Sequence, residues 1–480
     1  MWLFVLFLAH QLYANIYSIM PREPKLDLEA SWDAISRALV REGSSSGPAL
    51  ARAAGISQPS FSRIAASHRD ELLVSGRGRA TRYSLRRMVA GVQVPVPVHE
   101  INEDATSRRV ADLHPIATEG YHVEAAVEDV DSGSHADLPY FLNDLRPRGF
   151  LGRIVPMQHP ELRLPTDVRL WSGDQCLRYL TRYAWNLPGN LIVGKEAFSL
   201  YLERTLHPPK RVAPRQRAAE YPILAADALA GATPGSSAGG EQPKFLTTVA
   251  AGGREVLVKF SPRSKNEIAR RFADLLIAEH LALEVLRARR KAAAESELVF
   301  ADVQVFLEVI RFDRTPEGGR RGLISAETLD AQFVGGASSW VSVVEALAAQ
   351  GMLDESAAQQ VRFLHWFGRL IGNTDMHLGN LSFFTRGHRV LGVAPAYDML
   401  PMLYAPQQGN LPPRRLDMAL PDPSEADAWV EATEAAEEFW RRVVCDERIS
   451  KGFRCMAEEN AAALKKVGVL AERLPRREAH

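Results

Sequence analysis

The chain of 480 residues has few of the features that mark specialised protein classes. Its three cysteines are widely spaced and form no Cys-x-x-Cys pair, which argues against a disulfide framework or a zinc finger and favours a reducing compartment. Neither charge is in excess, because 58 Lys and Arg balance 58 Asp and Glu, so the whole surface is not a polyanion-binding one. At 46% hydrophobic and 24% charged residues, the composition is that of a globular protein.

A long hydrophobic run is also missing. The apolar segment 2–9 is far shorter than the about 20 residues that a membrane-spanning helix needs. No basic residue precedes it, and no small-x-small cleavage site clearly follows, as a signal peptide would require. From Met20 the sequence is typical of a cytosolic N-terminus. We therefore interpret residues 1–19 as an over-extended start or a dispensable leader, and we expect a cytoplasmic protein without membrane attachment.

Residues 28–88 show the pattern of three helices followed by a hairpin. A Gly- and Ser-rich run at 43–47 ends the first helix, and a serine N-cap precedes a third helix that begins at Gln58. Two predicted strands, 71–74 and 81–85, surround a tip rich in Gly and Arg. This order of elements predicts a winged helix-turn-helix domain.

The basic charge of this domain lies on the elements that would meet DNA. Residues 50–87 contain eight arginines and two acidic residues, a net charge of +6 in a chain whose total is zero. Side chains on the third helix can reach base edges, and arginines on the wing can reach phosphates or a minor groove. The candidate DNA-binding residues are Gln58, Ser60, Arg63, Arg77, Arg79 and Arg82. The alternative is a winged helix that contacts another protein, with a solvated basic face.

Residues 90–206 are predicted to form a small α+β region without a catalytic constellation of its own. Valines alternate from Val92 to Val98, with Pro95 and Pro97 between them, and this pattern predicts a strand at the edge of a sheet. The proline-rich basic segment 207–217 then predicts a linker or an exposed connection.

Residues 219–465 contain the chemistry. The Gly- and Ser-rich segment 231–244 can bring backbone N–H groups close to phosphates, but it lacks both the Walker A and the G-x-G-x-x-G pattern and could be a flexible loop. A predicted hairpin follows. Its second strand carries Lys259, the position of the phosphate-binding lysine of protein kinases, although a single lysine on a strand could simply be a surface residue. A long helix comes next, and either Glu267 or Glu279 on it could pair with this lysine.

The strongest signal is the segment 370–398. Asp375 and Asn380 have the D-x-x-x-x-N spacing of a kinase catalytic loop, in which the Asp is the base and the Asn holds Mg²⁺. A predicted hairpin leads to Asp398, where kinases place the Asp that binds Mg²⁺. Phosphoryl transfer needs this set, because it depends on oxygen ligands for Mg²⁺, a positioned base and cations near the phosphates. The alternative is a polar loop that caps the preceding helix.

Together, five motifs resemble the HipA family of Ser/Thr toxin kinases from bacterial toxin–antitoxin systems. They are GSSAGGEQPK at 235–244, NE at 266–267, RFDR at 311–314, NTDMHLGN at 373–380 and AYD at 396–398. The resemblance implies a two-lobed, kinase-like fold. The winged helix on the same chain is similar to the arrangement of the YjjJ-type subgroup. The expected fold class is therefore α+β, with an N-terminal winged helix-turn-helix, a small α+β middle region and a C-terminal HipA-like kinase domain.

The resemblance implies ATP and Mg²⁺ as cofactors and assigns a role to each matching residue. Asp375 would be the catalytic base, and Asn380 and Asp398 would bind Mg²⁺. Ser237 would be the serine that such kinases autophosphorylate to switch themselves off. The other implied nucleotide-binding residues are Ala238, Gly239, Gly240, Glu241, Gln242, Lys244, Lys259 and His377, with Glu308, Ile310, Arg311 and Phe312 in the hinge that faces adenine.

The resemblance also favours Glu267 over Glu279 as the partner of Lys259. The implied partners are double-stranded DNA and a protein substrate, for which aminoacyl-tRNA synthetases are family examples. Two functions remain open at this point. One is a Ser/Thr kinase that its own DNA-binding module restrains or localises, and the other is a DNA-binding regulator whose kinase fold only senses a ligand. The acidic helical region 422–448 is expected to pack onto the larger lobe through Trp429 and its aromatic neighbours Phe439 and Trp440.

Overall fold

A computed structural model of the chain describes residues 27–231, 242–250 and 253–471. These residues form two compact units. The first contains residues up to 88 together with the short segment 114–122, and the second contains the rest. The predicted leader at 1–19 lies outside the described residues.

The α-helices of the described ranges, numbered in chain order, are α1 (Leu28–Glu42), α2 (Gly47–Ala53), α3 (Gln58–Ser67), α4 (Gly149–Arg153), α5 (Val155–Gln158), α6 (Gly173–Leu180), α7 (Lys195–Leu206), α8 (Arg217–Ala230), α9 (Glu267–Ala288), α10 (Ala326–Leu329), α11 (Trp340–Ala349), α12 (Glu355–Leu370), α13 (Ala426–Cys445) and α14 (Lys451–Ala471). The strands are β1 (Ser45–Ser46), β2 (Leu72–Ser75), β3 (Arg82–Leu85), β4 (Val96–Ile101), β5 (Ser107–Pro115), β6 (Tyr121–Ala125), β7 (Gly133–His135), β8 (Leu191–Val193), β9 (Lys244–Val249), β10 (Arg254–Phe260), β11 (Ser296–Ala301), β12 (Gln304–Ile310), β13 (Gly322–Ser325), β14 (Ser382–Arg386) and β15 (Arg389–Val393). None of these helices combines the length and the apolar character needed to cross a bilayer.

The first unit packs three helices around a small antiparallel sheet. As predicted, α3 begins at Gln58, and the Ser57 hydroxyl caps it by accepting from the Ser60 backbone N–H. The predicted hairpin is β2 and β3, and the two-residue strand β1 pairs with the other side of β3. Apolar residues from all three helices and from β2 form the core of this unit, among them Leu39 and Phe61.

The tip between β2 and β3 depends on Gly76. This residue has φ +74°, and a Cβ at its position would lie 2.4 Å from the carbonyl oxygen of Ala80. Only glycine fits such a turn without displacing the backbone. The turn leaves Arg77 and Arg79 exposed on the tip of the hairpin.

The middle region contains a five-stranded sheet in the order β7-β6-β5-β4-β8. The prediction of an edge strand between Val92 and Val98 is wrong, because β4 has β5 on one side and β8 on the other. The prolines are tolerated for a local reason. β8 pairs with residues 98–100, and just beyond it the Pro97 carbonyl accepts from the Gly194 N–H at 2.7 Å, so the missing N–H of Pro97 falls where this pairing ends.

The smaller lobe of the C-terminal region is an antiparallel sheet in the order β11-β12-β10-β9, which includes the predicted hairpin β9–β10. Lys259 on β10 is in register with Lys244 on β9 and with Leu307 on β12. Because side chains alternate along a strand, these three residues share one face of the sheet. Phe260 and Phe306 lie on the opposite face, in a core that also contains Tyr221 of α8.

The prediction that residues 207–217 form a linker or an exposed connection is partly wrong. Val212 is buried in the core of the smaller lobe. Its backbone N–H donates to the carbonyl of Thr248, and its carbonyl accepts from Ala250. The connection therefore extends the edge of β9 at this residue, while its other residues up to Arg211 are exposed.

The larger lobe is mainly helical. Its core contains the predicted aromatic residues Trp429, Phe439 and Trp440 together with Trp340 of α11, and each of these four side chains is buried. The hairpin of β14 and β15 was predicted, and β13 adds a third strand to it. The segment 370–398 begins at the end of α12 and includes β14 and β15. It lies at the interface with the smaller lobe.

Candidate active site

Lys259 is the centre of the candidate site. It is 5% exposed. Its Nζ donates to both carboxylate oxygens of Glu279, at 2.6 and 2.8 Å, and also contacts the carboxylate of Asp398. The strand of the smaller lobe, helix α9 and the segment after β15 therefore meet at one ammonium group.

Glu279, and not the predicted Glu267, is the helical partner of Lys259. Glu267 is the exposed first residue of α9. Glu279 lies twelve residues later, which corresponds to about 18 Å along a helix axis. Glu279 is 1% exposed and stands in a run of buried apolar residues. An acidic residue in such a run seldom lacks a partner, and this was the signal that could have identified it.

The charges of the site stabilise one another. Burial alone would lower the pKa of Lys259, but the carboxylates of Asp398 and Glu279 outweigh this effect and raise it. Burial would raise the pKa of Asp398, yet the charges of Lys259 and Lys244 lower it to about 2. For Glu279 burial dominates and raises the pKa, against the opposing charge of Lys259. At neutral pH the site thus holds a charged lysine beside an ionised Asp398.

Two loops of the larger lobe are tied together by Asn373. Its Oδ1 accepts from the backbone N–H of Asp375 at 3.0 Å, and its Nδ2 donates to the backbone carbonyl of Asp398 at 3.0 Å. The side chain of Asn380 donates in turn to the carbonyl of Asp375 at 2.9 Å. Asp375, Asn380 and Asp398 are therefore close together. Asp375 is exposed at the surface of the site.

His377 and Tyr397 fix the turn between Asp375 and Asn380. The His377 ring accepts from the backbone N–H of Gly379 at 3.1 Å, and its carbonyl accepts from the Trp340 indole at 2.9 Å. The Tyr397 hydroxyl donates to the carbonyl of Gly379 at 3.0 Å. A Cβ on Gly379 would lie 2.9 Å from the His377 ring, so a larger residue at this position would displace that ring.

Asp398 has an unusual backbone conformation. Its φ is +52°, in the left-handed region that non-glycine residues rarely adopt. Its carbonyl is held by Asn373 and its carboxylate by Lys259. These contacts on both sides of the residue maintain the conformation.

The predicted hinge residues divide into two groups. The Glu308 side chain faces away from Lys259, because it is in register with Val258, and it accepts from Arg217 and from the Tyr221 hydroxyl. The Glu308 side chain is thus bonded on the face of the sheet opposite Lys259, where it cannot meet a nucleotide. The Arg311 guanidinium is likewise held by neighbouring residues, chiefly Asp313, so neither side chain fits the predicted contact.

The remaining hinge residues differ in position. The Ile310 side chain packs on the core of the smaller lobe. The Phe312 ring lies 5.8 Å from that of Tyr397, centroid to centroid, and is the hinge side chain that faces the segment 370–398. Of the predicted hinge, Phe312 and the backbone could therefore meet an adenine.

Part of the predicted ATP-side loop lies outside the described residues, namely Ser237, Ala238, Gly239, Gly240 and Glu241. Its described end is ordered by Gln242, which donates from Nε2 to the carbonyl of Phe260 at 2.7 Å. Lys244 then begins β9 beside Lys259. The described end of the loop consequently lies next to two lysines, where phosphates would be neutralised.

The donor set fits Mg²⁺ by its chemistry. Asp398 supplies an ionised carboxylate, and the amide oxygen of Asn380 remains as an acceptor because its nitrogen already donates to Asp375. Mg²⁺ commonly takes one or two such protein oxygens and completes its shell with phosphates and water. Within the described ranges, no group of three or more His, Cys, Asp or Glu residues could hold a metal ion.

The predicted DNA-binding side chains are exposed, with one exception. Gln58 and Arg63 are exposed on α3, and Arg82 is exposed on β3 beside the tip of the hairpin. Ser60 was predicted to reach DNA, but it is 8% exposed and its hydroxyl shares a hydrogen bond with that of Ser57 at 2.9 Å. The prediction failed for Ser60 because this serine faces inward, in the first turn of α3.

Comparison with known proteins gives two matches to family models. A model described as the middle domain of the YjjJ-like toxin matches residues 92–202, and the HipA-like C-terminal domain matches residues 236–464. Toxin YjjJ of Escherichia coli (strain K12) is 36% identical over 434 residues, which cover 89% of this chain and 97% of that protein.

Two solved structures are also similar. HipA of Shewanella oneidensis MR-1, from a complex with HipB and operator DNA, has a TM-score of 0.46 at 15% identity and covers 78% of this chain and 97% of its own. The proinflammatory kinase CtkA of Helicobacter pylori has a TM-score of 0.34 at 13% identity and covers 48% and 92%, respectively.

Proposed function

This chain belongs to the family of YjjJ- and HipA-like toxins, and from that premise we propose that it is an ATP- and Mg²⁺-dependent serine/threonine protein kinase. One observation carries the proposal. Lys259, paired with Glu279, contacts Asp398, and Asn373 connects Asp398 to Asp375. Such an arrangement of a cation, an ionised metal ligand and an exposed carboxylate is what phosphoryl transfer requires.

Each residue then has a distinct task. Asp375, exposed at the surface, accepts the proton of the attacking hydroxyl. Lys259 and Lys244 neutralise phosphate oxygens from one face of the sheet. Asp398 and Asn380 hold Mg²⁺. When bound, that ion neutralises charge on the phosphates. Because the hydrogen bonds of the site already position these groups, little rearrangement is needed when ATP enters.

The first unit is proposed to be a fused winged helix that binds double-stranded DNA. Support comes from the exposure of Gln58, Arg63, Arg77, Arg79 and Arg82 on the third helix and the hairpin, within a unit of net positive charge. Such a module could restrain or localise the kinase. We keep the protein substrate open, with aminoacyl-tRNA synthetases as one candidate class, and phosphoproteomes of cells that express the wild type or Asp375→Asn would identify it.

The kinase activity is tested by transfer of labelled γ-phosphate from ATP by the full-length protein. Asp375→Asn and Asp398→Ala should each reduce the rate by about 10²-fold or more, because each removes a base or a metal ligand. Asp427→Asn, a change at an exposed acidic residue of α13, is the matched control and should leave the rate unchanged. Full activity in both site variants would refute the assignment and favour a nucleotide or ligand sensor.

A further inference from the structure

A buried network of charges lies directly beside the hinge. The side chains of Arg311, Asp313 and Arg314 are 8, 7 and 5% exposed. Arg311 donates to both carboxylate oxygens of Asp313, at 3.1 and 2.9 Å, and Arg314 donates to the same carboxylate at 2.7 Å. The Asp313 carboxylate thus holds two guanidinium groups, and the Glu255 carboxylate of β10 also accepts from Arg311 at 3.2 Å and lies 3.5 Å from Arg314.

The rest of the network comes from a short segment of the middle region, residues 186–189. Oδ1 of Asn186 accepts from Arg311 at 2.7 Å and from Arg314 at 2.9 Å. Gly189 donates from its backbone N–H to Asp313 at 2.9 Å, and its carbonyl accepts from Arg314 at 3.0 Å. The carbonyl of Leu187 also accepts from both arginines, at 3.2 and 2.8 Å.

This network depends on each of its members. Burial would raise the pKa of Asp313, but Arg311 and Arg314 lower it to about 2, so the carboxylate is ionised. Burial, together with the neighbouring charge of Arg311, lowers the pKa of Arg314 to about 9. A buried charge that loses its partner is strongly unfavourable. The segment 186–189 is therefore held to residues 311–314 by buried hydrogen bonds.

The hinge residue Phe312 lies between the two anchored residues. Arg311 and Asp313 both point into the network, whereas the Phe312 ring contacts the rings of Tyr397 and Phe384, at 5.8 and 6.2 Å between centroids. The network on one side consequently fixes the orientation of the aromatic ring on the other.

A second contact fixes the chain just after this motif. Gly319 lies so close to the turn after β4 that a Cβ would be 2.0 Å from the carbonyl oxygen of Glu103. The Thr315 hydroxyl donates to the same carbonyl at 2.8 Å, and the Arg320 N–H donates to the carbonyl of Asn102 at 3.0 Å. The middle region thus holds the hinge segment at two places.

We infer that the middle region is a working part of the nucleotide site, because residues 186–189 set the position of Phe312 through Arg311, Asp313 and Arg314. The inference rests on the proposed function. It assigns a positioning role to Asp313 and Asn186, which would touch neither the nucleotide nor the acceptor. They would determine how tightly and how selectively an adenine is held, and they would leave the phosphoryl-transfer step to the residues of the catalytic loop.

The test compares Asp313→Asn and Asn186→Ala with the wild type in the full-length protein. Binding of a non-hydrolysable ATP analogue and of its guanine counterpart is measured by calorimetry with Mg²⁺. A loosened hinge should raise the Kd for the adenine analogue by about tenfold or more in Asp313→Asn, because small displacements of a binding group are costly. Asn186→Ala should have a smaller effect of the same kind. The preference for adenine over guanine should fall, and kcat at saturating ATP should change by less than about threefold, since the catalytic groups remain in place.

Asn460→Ala is the control for general destabilisation, because Asn460 is buried and bonded to the Tyr404 hydroxyl in another part of the same unit. Its Kd and its base preference should equal those of the wild type. If Asp313→Asn does not fold, Asn186→Ala decides the question. An unchanged Kd and unchanged base preference in the folded hinge variants would overturn the inference while leaving the kinase assignment intact. A wild type that binds no nucleotide would overturn both.

Discussion

Asn373 donates from its side-chain nitrogen to the backbone carbonyl of Asp398, across 25 positions of sequence, at 3.0 Å. The oxygen of the same amide accepts from the N–H of Asp375. A single neutral side chain therefore sets the distance between the proposed base and the proposed metal ligand. Asn373 is 6% exposed, so solvent competes little for these two bonds.

Replacing Asn373 should weaken both catalysis and metal use. Asn373→Ala is expected to lower kcat by about 10- to 100-fold and to raise the Mg²⁺ concentration needed for half-maximal rate, as is typical when a residue that orients a metal ligand is removed. Phosphate transfer measured over a Mg²⁺ titration checks this. Asn460→Ala, at a buried asparagine outside the site, should show neither effect. A normal Mg²⁺ dependence in Asn373→Ala would contradict the positioning role.

Glu279 and Glu267 should behave differently, although both lie on α9. Glu279→Gln removes the charge that holds Lys259 and should reduce phosphate transfer by about 10²-fold, since the lysine would lose its position beside the phosphates. Glu267→Gln, at an exposed first-turn residue, should cost only about 0.3–1 kcal/mol of stability through the helix dipole and leave the rate unchanged. Rates and urea midpoints of the two variants distinguish the cases. If Glu279→Gln transfers phosphate as fast as Glu267→Gln, the pairing with Lys259 is not used in turnover.

Stability should decline below pH 6.5 because of His365 on α12. Burial, and to a smaller extent the charge of Arg369, lowers the pKa of His365 from 6.5 to about 4. Between those values the unfolded chain binds a proton that the folded protein does not, so the free energy of unfolding falls with pH, at most by about 1.4 kcal/mol per pH unit. The contribution is fully present above pH 6.5 and is lost as the pH falls towards 4.

His365→Gln removes this titration. Its urea midpoint should fall less than that of the wild type between pH 7 and pH 5, whereas His207→Gln, at an exposed histidine, should follow the wild type. Parallel declines in all three proteins would show that other groups account for the acid sensitivity.

DNA binding by the full-length protein should depend steeply on salt. Each phosphate neutralised contributes a slope of about −0.9 to the plot of log affinity against log salt. The double change Arg77→Ala and Arg79→Ala should weaken binding to all sequences and reduce the magnitude of that slope by about 1 for each arginine. Arg41→Ala, at an exposed arginine of α1 paired with Glu42, is the control and should change neither. Gel-shift titrations of the three proteins at two salt concentrations measure both the affinity and the slope.

Sequence preference should depend on other residues of the first unit. Gln58→Ala or Arg63→Ala should change the preferred site, since these exposed side chains of α3 could reach base edges. Ser60→Ala should not, because that serine is buried. If the protein shows no salt-dependent binding at all, this unit is a protein-contact domain.

Phosphorylation of Ser237 should switch the kinase off. A phosphate on Ser237 would add about −1.5 to −2 charges to the loop that leads to Lys244, where the phosphates of ATP are proposed to bind. Mass spectrometry after incubation with ATP should find phospho-Ser237, and Ser237→Glu should lose activity. Ser236→Glu tests whether the effect is specific to one serine of the loop. Absence of the modification together with an active Ser237→Glu would show that this role does not apply.

Local features of the site were predictable from the sequence, and their tertiary pairings were not. The strand that carries Lys259 and the N-cap at Ser57 follow from alternation and capping chemistry, which act over a few residues. The choice between Glu267 and Glu279 depends on which turn of α9 docks against β10, and no local pattern specifies that. The burial of Ser60 likewise depends on how α3 is rotated against its neighbours.

The same distinction applies to the middle region. Proline in an alternating strand predicted an edge, but the length of the neighbouring strand decided the outcome, since β8 stops short of Pro97. The RFDR motif at 311–314 could be recognised in the sequence, but its partner Asn186 lies more than a hundred residues earlier. Its role became apparent only when the two segments were seen in contact.

The left-handed backbone of Asp398 places stability and activity in opposition. A glycine at 398 would adopt φ +52° at little cost, whereas the aspartate keeps this conformation only through the contacts of its carbonyl with Asn373 and of its carboxylate with Lys259. Selection for a stable fold alone would therefore favour glycine at this position, whereas selection for phosphoryl transfer retains the aspartate. A library of variants at residue 398, sorted once for thermal resistance and once for activity, should yield opposite winners, with glycine enriched in the first and aspartate in the second.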